Sequence, residues 1–307
     1  MKASARKSNM PRSDSSTPPF TILLATAGEP ESRGAVRTAA RLARHLHASV
    51  DVLTVAAPFP HLAPPITLEP SPALIDEDSR ANALDATRTQ LRQVRGTAGW
   101  RVHATIGWAK DLIVTTARRA NASLIIVGTG EHPAMARLFG SETAIGVAKH
   151  AGTPILAVPA DFDRPPRHAV AAIDFSPSSA AAARFVAKLL PSRGTLTLVH
   201  TSVFAAAALE PGSFTDVYAA GETQRLSLIA EQIARSTGRR VKTLIAQGTV
   251  GDALLSAVES LHADIIALGS HNYRFVERLA FGSVGAKLLR HPPCAVLIMP
   301  HDSPAET

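Results

Sequence analysis

The sequence predicts an α/β protein made of two tandem modules, each a five-stranded parallel sheet with helices on both faces. Three observations carry this prediction. Landmarks recur at one spacing: Gly107 and Gly248, Asp111 and Asp252, Gly128 and Gly269, and Pro159 and Pro300 each lie 141 residues apart. Short aliphatic runs alternate with amphipathic stretches throughout both copies, the pattern of parallel strands joined by covering helices. At 307 residues, with 46% hydrophobic and 19% charged side chains, the chain can fill two cores of about 140 residues each.

Taken in order, residues 1–18 are polar and carry Lys2, Arg6, Lys7 and Arg12 with no apolar segment behind them, so they read as a disordered tail on a cytoplasmic protein. No apolar run approaches the roughly 18 residues a membrane helix needs. The first module, residues 19–160, places strands at Phe20 to Ala25, Val50 to Val55, Val102 to Ile106, Ser123 to Gly128 and Pro154 to Val158. The second module, residues 168–302, repeats them at Ala169 to Ile173, Leu196 to His200, Val241 to Ala246, Asp264 to Gly269 and Ala295 to Met299. All ten are short and apolar and are expected in the interior of their sheets.

Between the first two strands of each copy, Ser32 to His47 and Ser178 to Leu190 set Ala, Val, Leu and Phe at helical spacing opposite Arg and Lys. Segments 57–72 and 201–221, rich in Pro, Ala and Gly, read as lids or partner surfaces that lead into longer polar helices. The boundary is Asp161-Phe-Asp-Arg-Pro-Pro-Arg167, whose prolines interrupt both periodicities.

The net charge of +7 raises nucleic acid as a partner, but the tail supplies +3 of it, from four cations against Asp14. The remaining charge forms no basic stripe interleaved with aromatics, and aromatic residues make up only 5% of the chain, which argues against base-stacking platforms. The single cysteine, Cys294, opens the apolar run Cys294-Ala-Val-Leu-Ile-Met299 and reads as a buried strand residue without a disulfide partner.

The candidate site is the loop after the fourth strand. In open parallel sheets ligands collect beyond the carboxyl ends of the strands, where the strand order reverses. Gly269 ends that strand, and Gly282-Ser283 opens a helix expected over Ser283 to Arg290. A glycine there permits positive φ and close backbone approach, while free N–H groups, the helix dipole and the Ser283 hydroxyl would converge on an anion. Gly128, Gly130, Gly140 and Ser141 form a weaker first copy. Gly140 and Gly282 are 142 apart, so that loop is one residue shorter in the first module.

At these residues the sequence resembles the universal stress protein family, whose nucleotide-binding members carry Gly, two residues, Gly, nine residues, then Gly-Ser or Gly-Thr. The resemblance spans about residues 19–302 as two modules of flavodoxin-like, adenine nucleotide alpha hydrolase-like architecture. It implies ATP or a related adenine nucleotide as ligand, with Mg²⁺ accompanying the phosphates. On that resemblance Gly269, Gly282 and Ser283 match phosphate- and ribose-binding positions, with Val284 beside them, and Asp174 matches the acid that contacts the adenosine end. Asn272 stands where the second glycine belongs; Asn tolerates the left-handed region best among non-glycine residues, yet its side chain takes space a phosphate needs. In the first module Ala27 replaces the acid and Glu131 follows Gly130, placing a carboxylate where a phosphate would sit.

Other chemistry is absent from the pattern. There is no Gly-x-x-x-x-Gly-Lys-Ser/Thr, Pro133 replaces the third glycine of a dinucleotide fingerprint after Gly128-x-Gly130, and no Gly-x-Ser-x-Gly occurs. His45 and His47 are two apart on a helix and face different ways, and His271 reads as a surface loop residue. The expectation is a nucleotide-binding stress sensor or regulator, without dedicated catalysis, whose modules pair with each other and whose outer surface meets a protein partner or a second chain. Two alternatives are a scaffold that has lost nucleotide and a slow nucleotide hydrolase.

Overall fold

The computed structural model describes residues 20–56, 72–130, 141–202, 214–270 and 283–301. In the first module the order is β1 (Thr21–Ala25), α1 (Arg33–Leu46), β2 (Ser49–Ala56), α2 (Pro72–Arg92), β3 (Arg101–Ile106), α3 (Ala109–Arg119), β4 (Leu124–Gly128), α4 (Ser141–His150) and β5 (Ile155–Val158). The second repeats it with β6 (His168–Ala172), α5 (Pro177–Leu189), β7 (Thr195–Thr201), α6 (Phe214–Thr237), β8 (Arg240–Ala246), α7 (Val250–Ser260), β9 (Ile265–Gly269), α8 (Ser283–Arg290) and β10 (Ala295–Met299). Strand bounds move by at most one residue from the sequence reading. Ser32 falls in a short 3-10 turn, Pro30–Ser32, ahead of α1, and His47 caps α1 in the left-handed region at φ 52°. Of the presumed lid 201–221, Thr201 completes β7 and Phe214 onward is already α6, because the helical pattern starts inside it; residues 57–71 and 203–213 lie outside the described residues.

All ten strands join in one sheet of order β3-β2-β1-β4-β5-β10-β9-β6-β7-β8. Each half is wholly parallel, and the halves meet where β5 and β10 pair antiparallel, with Val296 opposite Ala157, Leu297 opposite Leu156 and Ile298 opposite Ile155. The order puts β3 and β8 at the outer edges, which corrects the expectation that every strand is interior. Their sequences show why: Arg101 and His103 on β3, and Arg240 and Lys242 on β8, are exposed, and such charged side chains discourage further strand pairing.

Because side chains alternate along a strand, the sheet buries two layers. Leu23, Ile125, Ile155, Val296, Ile266 and Val170 face α3, α4, α7 and α8; Ile22, Leu24, Ile126, Leu156, Leu297 and Ile265 face α1, α2, α5 and α6. Both layers run unbroken across the β5–β10 seam, so the modules share their core. Each fully buried Leu or Ile contributes roughly 2 kcal/mol.

The linker between β5 and β6 is tied to both modules. Asp163 takes ion pairs from Arg37 at 3.1 Å and Arg41 at 2.8 Å, and the Arg41 hydrogen bond holds its carboxyl below the usual carboxylate range. Asp264, at the start of β9 and only 6% exposed, accepts from the backbone N–H groups of Arg167 at 2.7 Å and His168 at 3.0 Å and pairs with Arg164 at 2.5 Å.

Candidate functional site

In each module the chain runs outward over the first three strands and then returns to add the fourth strand on the other side of the first. That reversal opens a crevice at the carboxyl ends of β1 and β4, and of β6 and β9. In the second module the crevice holds a cavity of about 290 Å³ between the β6–α5 corner, the end of β7 and the starts of α7 and α8. Asp174, Gly269 and Val284 from the sequence reading line it, together with Ser270 and Gly285. Ser283 opens α8 beside them. Asn272, Gly282, His271 and, in the first module, Glu131, Pro133 and Gly140 lie outside the described residues.

The corner that carries Asp174 is built from local polar contacts. Pro177 stands in the first turn of α5, where its fixed φ suits the helix and its missing N–H costs no bond. Ser176 caps the helix, its hydroxyl accepting from the Ser179 N–H at 3.2 Å, and the Ser179 hydroxyl donates back to the Ser176 carbonyl at 3.0 Å. The exposed Asp174 carboxylate accepts from the Ser176 N–H at 2.9 Å. Phe175, between them, adopts φ 65°.

Gly269 provides one of the two things expected of it. Its φ is not in the left-handed region, and close approach is what it provides: a Cβ there would lie 2.5 Å from the Ser179 nitrogen and 2.6 Å from the Ser178 carbonyl carbon. The start of α5 is thereby pressed against the end of β9. Gly128 plays the same part, with the Ser32 Cα 3.2 Å from a notional Cβ. Gly130 is pressed against Glu31, whose own Cβ would be 2.5 Å away. Ser141 is the first residue of α4.

The first module differs at its corner. Thr26 and Ser32, the register equivalents of Ile173 and Ser179, join the buried Gln90 of α2: Thr26 donates to the Gln90 carbonyl oxygen at 2.9 Å, and the Gln90 amide donates to Ser32 at 3.0 Å and to the Glu29 carbonyl. Gly28, with φ 78°, stands in the place of Phe175, and a Cβ on it would come within 2.6 Å of the Thr87 nitrogen. Helix α2 therefore packs directly on this corner, and a network of Thr26, Ser32 and Gln90 fills it.

Sequence reasoning missed part of the second cavity's wall: Ser179, His200, Thr201, Val250 and Leu254. The His200-Thr201 pair carried a readable signal, since two adjacent polar residues end the strand at its carboxyl edge, where ligands collect. His200 donates from Nδ1 to the Ile173 carbonyl at 2.7 Å, and its Nε2 faces the Glu222 carboxylate of α6 at 3.5 Å. Thr249 caps α7, accepting from the Asp252 N–H at 3.3 Å, and sets Val250 at the cavity rim.

The sequence profile of the universal stress protein family matches residues 20–159 and again residues 166–300. The chain belongs to this family. It is a tandem universal stress protein, with one family module in each half of the sheet. Among curated proteins none matches it significantly in sequence. Its fold is similar to that of a universal stress protein from Archaeoglobus fulgidus, at 19% identity and TM-score 0.66, over 91% of this chain and 98% of that one. A functionally unknown protein from Pseudomonas aeruginosa PAO1 is similar at 15% identity and TM-score 0.58, over 93% of this chain and 94% of that one. Both likenesses extend across the two modules and concern the tandem fold. No helix among the described residues is long and apolar enough to cross a membrane.

Proposed function

We propose that this universal stress protein binds ATP or a related adenine nucleotide in its second module and acts in the cytoplasm as a sensor or regulator of a protein partner. The observation that supports the reading is the cavity at the sheet's reversal point, bounded by Asp174, Gly269 and Val284. Its volume lies at the lower end of small-molecule sites. Asp174 would take the adenosine end; Gly269, Gly282 and Ser283 would take ribose and phosphates, with Asn272 in the place of a glycine. When bound, Mg²⁺ would be carried by the phosphates. The first module, whose corner is filled by the Thr26–Ser32–Gln90 network, serves chiefly to pair with the second.

The activity is binding. One Asp174 oxygen accepts from the Ser176 N–H and His200 Nδ1 donates to the Ile173 carbonyl, so both groups also hold the corner. Mass spectrometry of small molecules released from freshly purified protein, followed by calorimetric ATP titration of the stripped chain, tests the reading. About one adenine nucleotide per chain is expected, lost in Gly282→Asp and nearly unchanged in Gly140→Asp. Equal losses in both variants would sink the asymmetry, and no nucleotide with no binding would leave a scaffold.

A further inference from the structure

The cavity's wall is linked to helix α6 through residues found only in the second module. Phe175 follows Asp174 directly and sits in the left-handed region, a strained conformation for an aromatic residue. Something must hold it. Its ring lies 4.4 Å from the His200 ring, and the Arg225 guanidinium of α6 stands 4.2 Å from its centroid. His200 grips the same corner by the hydrogen bond to Ile173, and its other nitrogen faces Glu222, one turn before Arg225 on α6. The His200 and Glu222 side chains are 12% and 18% exposed, so α6 covers this side of the His200 ring. Glu222 of α6 faces the His200 ring, and Arg225 of α6 stands over the Phe175 ring against which His200 packs.

The first module ties its corner to α2 by other residues: strand register places Thr54 where His200 stands and Gly28 where Phe175 stands, and α2 meets the corner through its backbone at Thr87 and through the Gln90 side chain.

We propose that His200 is a positioning residue that couples the cavity to α6. Through Nδ1 it fixes the Ile173–Asp174 corner, through its ring it holds Phe175 in the left-handed conformation, and its Nε2 edge packs against Glu222 of α6. A ligand that seats against Asp174 stabilises the corner and so orders the first half of α6; conversely, loosening α6 weakens the ligand. The coupling is reciprocal, as any linkage between two sites must be. The ligand half rests on the nucleotide reading, whereas the mechanical half concerns the ligand-free chain.

The experiment is amide hydrogen exchange of the full chain, with and without ATP, on wild type, His200→Phe, His200→Asn and Glu222→Ala, alongside calorimetric ATP affinity. His200→Phe keeps a ring against Phe175 but removes both nitrogens. It is expected to speed exchange in α6 relative to α2 and to weaken ATP by about tenfold. His200→Asn retains a donor for the Ile173 carbonyl and is expected to recover most of the affinity without recovering the protection of α6. Glu222→Ala is expected to release α6 while leaving the β6–α5 corner protected. Unchanged α6 exchange in both His200→Phe and Glu222→Ala overturns the proposal, as does equal loosening of α2 and α6, which marks a general loss of stability. If wild type binds no ATP, the nucleotide reading and the ligand half fail together, and exchange in the ligand-free variants decides the mechanical half by the same criteria.

Discussion

Val296 of β10 lies opposite Ala157 of β5 in the antiparallel pair that fuses two parallel sheets into one. Both side chains are fully buried, in the layer covered by α3, α4, α7 and α8. Helices α4 and α8 meet over this seam, where Arg290 donates to Glu142 at 3.0 Å.

A charge at the seam has neither a partner nor water. Val296→Asp is therefore expected to cost at least about 3 kcal/mol or to prevent folding, since burying an unpaired carboxylate is among the most destabilising single changes. Arg290→Ala removes only an exposed pair and is expected to cost less than about 1 kcal/mol. Urea unfolding of both variants checks the contrast, and near-wild-type stability and hydrodynamic size in Val296→Asp would refute the shared core.

Much of this architecture was legible because short aliphatic strands and small-residue helices have few other ways to bury themselves. The five strands of each copy, the run Ala295–Met299 and the start of α8 at Ser283 follow from that pattern. Strand order is different: β3 and β8 read as interior because Val102, Ile106, Val241 and Ile245 are apolar, yet such residues also suit a half-covered edge. The site was half legible. Asp174 and Gly269 stand at chain positions that topology alone makes special, whereas His200 meets Glu222 across 22 residues and Gln90 meets Thr26 across 64, contacts set by helix placement that no local spacing encodes.

The two glycines Gly269 and Gly251 should respond oppositely to alanine. At Gly269 the new Cβ would strike backbone atoms of α5 at 2.5 and 2.6 Å, and backbone cannot swing aside. Gly269→Ala is expected to lose about 1–3 kcal/mol and to displace the Ser179 wall of the cavity. Gly251 sits inside α7 with nothing within 4 Å of a notional Cβ, so Gly251→Ala is expected to gain about 0.5–1 kcal/mol through the greater helix propensity of alanine. Thermal unfolding of the pair decides it; stability in Gly269→Ala would mean that α5 is not packed as closely as described.

Asp264 is the anchor of the linker. Its carboxylate satisfies two backbone N–H groups and one guanidinium while almost wholly buried. Asp264→Ala strands the Arg167 and His168 donors and is expected to cost about 3 kcal/mol. Asp264→Asn, which keeps acceptor oxygen but not charge, is expected to lose less. Denaturant unfolding of both separates the backbone bonds from the ion pair, and equal losses would show that the Arg164 charge carries the effect.

Cys294 is 2% exposed, and burial pushes its thiol up to about 12, with a backbone hydrogen bond only partly opposing the shift. Since the thiolate is the nucleophile, the folded protein should resist iodoacetamide at pH 8 and react fully once unfolded in guanidinium. The sign of the stability effect follows from the proton count. Above the ordinary thiol value of 9.0 the unfolded chain releases a proton that the folded chain keeps, so this residue's contribution falls as pH rises from 9 towards 12 and is constant below that window. Comparing wild type with Cys294→Ala at pH 8 and pH 10 isolates the effect: the stability difference between them should shift against the wild type at the higher pH. Fast alkylation of the native chain at pH 8 would show instead that the start of β10 opens to solvent, and with it the seam that β10 forms.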